Sequence, residues 1–214
     1  MRSELQQIGC KFWLQWVLAC TVGWTVGWHT AWSWLFLQFL AVPAKYGNRD
    51  LAHVLGMVVF GSLLGTAQWL ILRRQLSWVG WWVLAVAAGE VIGEVIGSRV
   101  GFIVDRYLVM GVGAELSRAA FMAWCATEAV FVAAGQWLVL RQRVNQAGWW
   151  VLAAAAGWVV SYATGELVDE FVGEVTRWAV VGSIYGIITG AMLVWLLRKV
   201  IPESDLGLDK RRIF

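Results

Sequence analysis

The sequence predicts an all-α transmembrane protein whose six helices form three repeated helical hairpins. Composition, apolar runs and an internal repeat predict this fold. Of the 214 residues, 60% are hydrophobic and only 14% are charged, whereas a soluble domain carries about 25% charged residues. The mean hydropathy is +0.65, and the chain contains 17 tryptophans, a residue that favours the membrane–water interface. The composition is therefore that of a polytopic membrane protein.

Long apolar runs account for most of the chain. They lie at about 12–41, 51–72, 79–100, 117–140, 148–167 and 177–198. Most reach the roughly 20 residues that a helix needs to cross about 30 Å of hydrocarbon. Helices are expected because a backbone in lipid must satisfy its own hydrogen bonds. The first run is longer than the roughly 7–15 apolar residues of a signal peptide, so we expect it to remain in the protein as a helix.

An internal repeat relates these runs to one another. The segment QWLILRRQLSWVGWWVLAVAAG (68–89) matches QWLVLRQRVNQAGWWVLAAAAG (136–157), and WVLACTVG (16–23) matches WVLAVAAG (82–89). The end of the last copy, MLVWLLRK (192–199), resembles GQWLVLRQ. Repeats of this kind indicate one supersecondary unit used several times.

The domain organisation follows from the repeat. We predict a single membrane domain at 1–201, with hairpins at about 12–74, 78–143 and 147–199. The segment 202–214 is polar and begins with a proline, which predicts a flexible cytoplasmic tail.

Basic residues predict the orientation in the membrane. One side of the predicted bundle carries eleven of the seventeen: Arg2, Lys11, Arg73, Arg74, Arg141, Arg143, Arg198, Lys199, Lys210, Arg211 and Arg212. Because Lys and Arg favour the cytoplasmic side, both termini are predicted to be cytoplasmic. This placement does not indicate nucleic-acid binding. Acids such as Glu166, Asp169 and Glu174 fall toward the opposite side and indicate a face that attracts cations or a partner.

Small residues recur every four positions along the odd-numbered helices. These are Gly23 and Gly27 in the first, Gly89, Gly93 and Gly97 in the third, and Gly157, Ser161 and Gly165 in the fifth. Small residues let helix backbones approach closely in lipid. We therefore expect the odd helices to pack tightly around a pseudo-threefold axis, with the even helices outside or between them. The alternative is that these faces seat a lipid or a pigment tail.

Three glutamates interrupt the apolar runs. Glu90 and Glu94 lie one turn apart in the third helix, and Glu128 lies in the fourth. The other repeats carry aromatic residues at these positions: Trp24 and Trp158 for Glu90, Trp28 and Tyr162 for Glu94, and Phe60 for Glu128. An acid at the centre of a membrane helix costs about 2.5–3.5 kcal/mol on insertion scales. The repeated scaffold does not require acids here, so the middle repeat has a requirement of its own.

The cost of exposing acids to lipid predicts that Glu90 and Glu94 face the protein interior or a water-filled cavity. We expect them to point toward Glu128, with Arg118 as a candidate cationic partner. Four roles stay open: a hydrogen-bonded or salt-bridged packing cluster, a proton or cation pathway, ligation of a cofactor or pigment, and contact with a partner chain.

His29 and His53 both fall toward the non-cytoplasmic ends of adjacent helices. Together they are able to bind a metal or a porphyrin magnesium, although a single histidine in a core is more often a hydrogen-bonded polar residue. No metal site is predicted, and the cofactor stays unknown, with chlorophyll, carotenoid or lipid as the candidates.

The phrases AQWLILRR, GQWLVLRQ and AGWWVLAAAAGW resemble a group of small polytopic membrane proteins common in cyanobacteria. The resemblance covers residues 16–24, 65–90 and 133–158. It implies a membrane context, in a plasma or thylakoid membrane, without transferring any site residue. The GE at 89–90 departs from the usual GW of that group.

Three functional hypotheses follow, and the absence of nucleotide-binding and catalytic motifs argues against an enzyme. The first is an accessory membrane subunit, for instance of a photosynthetic membrane, that contacts other subunits or a second copy of itself and holds lipid or pigment. The second is a cation- or proton-coupled transporter or channel that uses the intramembrane carboxylates. The third is a scaffold with no ligand.

Overall fold

The structure is a computed structural model that describes residues 2–32, 49–74, 76, 79–108, 113–144, 146–169 and 171–200. The described residues form six α-helices and no strand. The helices are α1 (Arg2–Ala31), α2 (Arg49–Leu72), α3 (Trp82–Leu108), α4 (Gly113–Leu140), α5 (Gly148–Val168) and α6 (Glu174–Val200). The predicted all-helical fold with six helices is confirmed. The predicted tail at 202–214 lies outside the described residues.

Four of these helices are long and apolar enough to cross a membrane. The apolar stretches are His53–Leu72 in α2, Arg118–Leu140 in α4, Gly148–Val168 in α5 and Glu174–Lys199 in α6. Helix α3 is of similar length but carries Glu90 and Glu94 near its middle. The apolar helices are compatible with an integral membrane protein.

The six helices close into a ring. Each helix packs against the helices before and after it in the chain, and α6 packs against α1. The start of α1 and the end of α6 lie at the same end of the ring, because a Cβ atom built on Gly9 would lie 2.6 Å from Nη2 of Arg198. At that end Lys199 Nζ also donates a hydrogen bond of 2.6 Å to Oε1 of Gln146. We call this the basic end of the ring and the other the acidic end.

The small-residue faces of the odd helices contact even helices, so the expectation that the odd helices pack on one another through these faces is wrong. A Cβ atom built on Gly23 would lie 3.0 Å from Leu64 of α2, and one on Gly93 would lie 2.7 Å from the Cα atom of Glu128. The remaining contacts follow the same rule: Gly27 meets Phe60, Gly89 meets Val132, Gly97 meets Trp124, Gly157 meets Ile188 and Gly165 meets Val181.

The physical reason lies in the centre of the ring, where the odd helices present large side chains to one another. Trp16 of α1, Trp82 of α3 and Trp150 of α5 are all fully buried there. Indole rings of this size hold the three odd backbones apart, whereas neighbouring helices around the ring approach closely enough to require glycine.

Candidate functional site

The half of the core toward the basic end contains a layer of three tryptophans. Trp16, Trp82 and Trp150 pack edge to face, with ring centroids 5.9–6.1 Å apart. These three residues occupy equivalent positions in the sequence repeat. We call them the tryptophan layer, and they close the interior at this level.

Each indole of the tryptophan layer donates a hydrogen bond to the helix that precedes it around the ring. The bonds run from Trp16 to Oγ1 of Thr189 (2.9 Å), from Trp82 to Oε1 of Gln68 (3.0 Å) and from Trp150 to Oε1 of Gln136 (3.0 Å). Gln136 Nε2 also donates to Oε1 of Gln68 at 3.2 Å, and the Tyr185 hydroxyl lies 3.5 Å from Oε1 of Gln136. Because buried polar groups are costly when unpaired, this paired network stabilises the layer.

The three glutamates lie in the other half of the core, toward the acidic end. Glu90 is 0% exposed, Glu128 4% and Glu94 5%. Among the described residues, no N–H or alcohol O–H group donates a hydrogen bond to either carboxyl oxygen of Glu90 or to Oε2 of Glu94. The Glu90 and Glu128 carboxyl groups lie within hydrogen-bonding reach of one another, and they pair when one of the two carries a proton. The structure therefore buries an acidic cluster whose central member has another carboxyl group as its partner.

Two glycines make room for this cluster. A Cβ atom built on Gly61 of α2 would lie 2.7 Å from Cγ of Glu90, and the one on Gly93 would lie 2.7 Å from Cα of Glu128. Real Cβ atoms do not approach so closely. Gly61 therefore provides the space that the Glu90 side chain fills, and Gly93 lets α3 and α4 meet where Glu90 faces Glu128.

A cavity of about 610 Å³ reaches Glu128 from the acidic end. Its lining residues come from the end of α1, the start of α2, the start of α4, the end of α5 and the start of α6. At its rim, Nη1 of Arg177 lies 3.1 Å from Oδ1 of Asp169, and Nη2 pairs with Glu166. Four carboxyl groups line the cavity (Glu128, Glu166, Asp169 and Glu174) with one guanidinium, so the charges around it favour a cation.

An uninterrupted run of aromatic rings forms the wall of this cavity. In order, the rings are His53, Trp32, Trp28, Trp178, Tyr162, Phe121 and Trp124, and all seven line the cavity. Centroids of successive rings are separated by 3.9–6.0 Å. We call this run the aromatic arc.

The other predicted site residues take different positions. Arg118 is exposed and takes part in no ion pair of the described side chains. His53 lies in the aromatic arc, with Nδ1 3.4 Å from Oε1 of Glu94. His29 has a buried Nε2 atom without a hydrogen-bond partner. Within the described part of the chain, no group of three His, Cys, Asp or Glu side chains is arranged to hold a metal ion.

Sequence reasoning missed the tryptophan layer's hydrogen bonds and the aromatic arc. The repeated QW at 68 and 136 was the available signal for the first, because a glutamine kept in two copies of an apolar repeat needs a partner. The arc joins rings from α1, α2, α4, α5 and α6, and no local pattern brings them together.

No protein-family model, curated protein or solved structure matches this chain.

Proposed function

We propose that this chain is an integral membrane protein that binds a cation in the cavity at its acidic end and exchanges it across the bilayer for protons. In this account Glu90, Glu94 and Glu128 carry the exchanged charge. The observation that carries the proposal is that the cavity wall at Glu128 belongs to a buried pair of carboxyl groups, Glu90 and Glu128, which lie within hydrogen-bonding reach of one another. Ionisable side chains inside a membrane are expensive and mark ion and proton pathways.

The exchange balances in charge and atoms. When a monovalent cation enters the cluster, one carboxyl group gives up its O–H proton to water in the cavity, and the carboxylate that remains balances the cation. When the cation leaves, a proton returns to the same carboxyl group. The other titratable or charged groups around the cluster are His53 from α2, Cys125 from α4, Tyr162 and Glu166 from α5, and Tyr185 and Arg177 from α6.

The proposed architecture is six membrane-spanning helices, built as three repeated hairpins around a pseudo-threefold axis with both termini cytoplasmic. Two findings support it. The helices form a closed ring, and the tryptophan layer places equivalent residues of three repeats against one another. Repeated architecture with a site near the midplane is common among transporters.

In this proposal the tryptophan layer is the closed barrier on the cytoplasmic side. Transport requires the three indole rings of this layer to move apart, because the cavity extends from the acidic end only as far as the buried glutamates. The described conformation therefore corresponds to a state open toward the non-cytoplasmic side.

The proposed function is tested by measuring cation–proton exchange in proteoliposomes that contain a pH-sensitive dye. A potassium or tetraethylammonium chloride gradient directed inward should raise the internal pH of vesicles that contain the protein, and empty vesicles should not respond. Glu128→Gln should remove the response, while Asp105→Asn, at an exposed acid of α3 outside the cavity, should keep it. No response to either cation in the wild-type protein would overturn the proposal.

The accessory-subunit hypothesis is the second candidate, and the aromatic arc favours it because a row of rings is able to stack a flat pigment. The resemblance to cyanobacterial proteins belongs with this candidate. Chlorophyll or carotenoid bands in the absorption spectrum of protein purified gently from its native membrane would support it, and a colourless protein would remove it.

A further inference from the structure

The aromatic arc and the carboxyl groups beside it meet in one cavity. We propose that the cation bound there is an organic ammonium, with the alkyl groups on its nitrogen held against the aromatic arc and its charge balanced by Glu128. This inference rests on the proposed function and names the class of its substrate.

The first argument comes from the wall. A cation placed within about 6 Å of an aromatic ring centroid is attracted to the ring face, and tryptophan is the strongest of the three rings. Four of the seven rings in the arc are tryptophans: Trp28, Trp32, Trp124 and Trp178. The protein already uses this chemistry at the rim, where Cζ of Arg177 lies 5.0 Å from the ring centroid of Trp178.

The second argument comes from size. The cavity volume of about 610 Å³ falls within the roughly 300–1,000 Å³ of pockets that enclose small organic ligands. A bare inorganic cation is far smaller and gains most from oxygen ligands in close contact. Aromatic rings and a few carboxyl groups around a large space suit a cation that carries alkyl groups.

The third argument comes from the gradient of polarity along the cavity. Glu166, Asp169 and Glu174 lie toward the rim of the cavity. The side chains of Glu166 and Asp169 are 41% and 48% exposed there. Glu128 lies at the inner end and is nearly buried. A cation drawn in by the rim acids loses water as it moves inward, and the ring faces replace part of that hydration. An alkylated ammonium loses less in this step than a strongly hydrated inorganic ion.

The test measures binding by titration calorimetry in detergent, at constant ionic strength, with tetraethylammonium, tetramethylammonium and potassium chlorides as probes. We expect tetraethylammonium to bind at least tenfold more tightly than potassium. Trp28→Leu should weaken tetraethylammonium binding at least tenfold and change potassium binding by less than twofold. Trp149→Leu, at an exposed tryptophan outside the cavity, should change neither.

Trp28→Phe provides the second variant, because it keeps a ring with a weaker attraction for cations. If Trp28→Leu fails to keep wild-type helicity, Trp28→Phe should still bind tetraethylammonium more weakly than the wild-type protein does. Equal affinities for potassium and tetraethylammonium, or binding that neither Trp28 variant alters, would overturn the inference.

The two proposals fail in different ways. If potassium drives proton exchange in proteoliposomes but the organic probes neither bind preferentially nor exchange, the proposed function stands and the organic-ammonium inference is wrong. If no cation drives exchange, the proposed function is wrong, and preferential binding of tetraethylammonium would then identify a binding site without transport.

Discussion

The tryptophan layer and the acidic cluster occupy the two halves of one core and treat buried polar groups in opposite ways. In the layer, the three repeats carry the same residue, and every indole N–H has an acceptor. In the cluster, the middle repeat carries Glu90 where the others carry Trp24 and Trp158, and the partner of the Glu90 carboxyl group is another acid, Glu128.

Under the proposed function, the difference separates residues that serve the fold from residues that serve a ligand. A network of satisfied hydrogen bonds around the ring stabilises the fold, and substitution of its residues adds no stability. A buried acid that pairs only with another acid lowers stability, so it indicates a role that stability does not explain. The following predictions test this contrast.

The largest effect is expected where the backbones of α3 and α4 meet beside the acidic cluster. Gly93→Leu should lower the free energy of unfolding by about 3 kcal/mol or more, because the new side chain has to displace the backbone of Glu128. Unfolding in a detergent mixture measures the loss. Gly148→Leu is the matched control, since a Cβ atom there meets no atom within 4 Å. Equal stability of the two variants would contradict the close approach of α3 and α4.

The next effect concerns the tryptophan layer. Gln136→Leu should lower the free energy of unfolding by about 1–3 kcal/mol, because it leaves the buried Trp150 N–H without an acceptor. Gln142→Leu, at an exposed glutamine near the same helix end, should have little effect. If both variants unfold alike, the hydrogen bonds of the layer do not stabilise the fold.

A smaller effect is expected at the rim of the cavity. Arg177→Gln removes the guanidinium that pairs with Glu166 and Asp169, and partly exposed ion pairs contribute about 0–1 kcal/mol to stability. The rim becomes more negative, so association of tetraethylammonium should accelerate severalfold at low ionic strength and return toward the wild-type rate at high salt. An unchanged rate at low salt would show that the rim does not steer cations.

Labelling of a native cysteine tests which end of the ring faces the cytoplasm. This test involves no change in stability. Cys10 is exposed, and Cys20 and Cys125 are buried. A membrane-impermeant maleimide should label Cys10 in inside-out vesicles and leave it unlabelled in intact cells, and Cys10→Ser should remove the signal. Labelling from outside intact cells would invert the proposed orientation.

Some of these features followed from the sequence for simple physical reasons. The length and apolarity of the runs predicted six helices, because hydrophobic length and backbone hydrogen bonding leave few alternatives in a membrane. The cost of exposing a carboxylate to lipid predicted that Glu90 and Glu94 would be buried, and they are. The glycine spacing predicted close helix contacts near Gly93, which the structure contains.

Other features did not follow, because periodicity gives the face of a helix and not its neighbour. The glycines of α1, α3 and α5 therefore gave no sign that they contact even helices, and the size of three central indoles decided that arrangement. Arg118 was a reasonable partner for Glu90 and Glu94 by sign of charge, but it is exposed and lies ten residues, or about 15 Å along the helix, from Glu128 toward the start of α4.

The most direct test of the central claim is the double substitution Glu90→Gln and Glu94→Gln, with stability and cation–proton exchange measured on the same preparation. An amide keeps the shape of each side chain and is still able to form hydrogen bonds, but it does not ionise. The variant should keep wild-type helicity, unfold within about 1 kcal/mol of wild type or at higher stability, and lose at least tenfold in the exchange rate. A folded double variant that exchanges at the wild-type rate would contradict the claim that these acids serve a ligand.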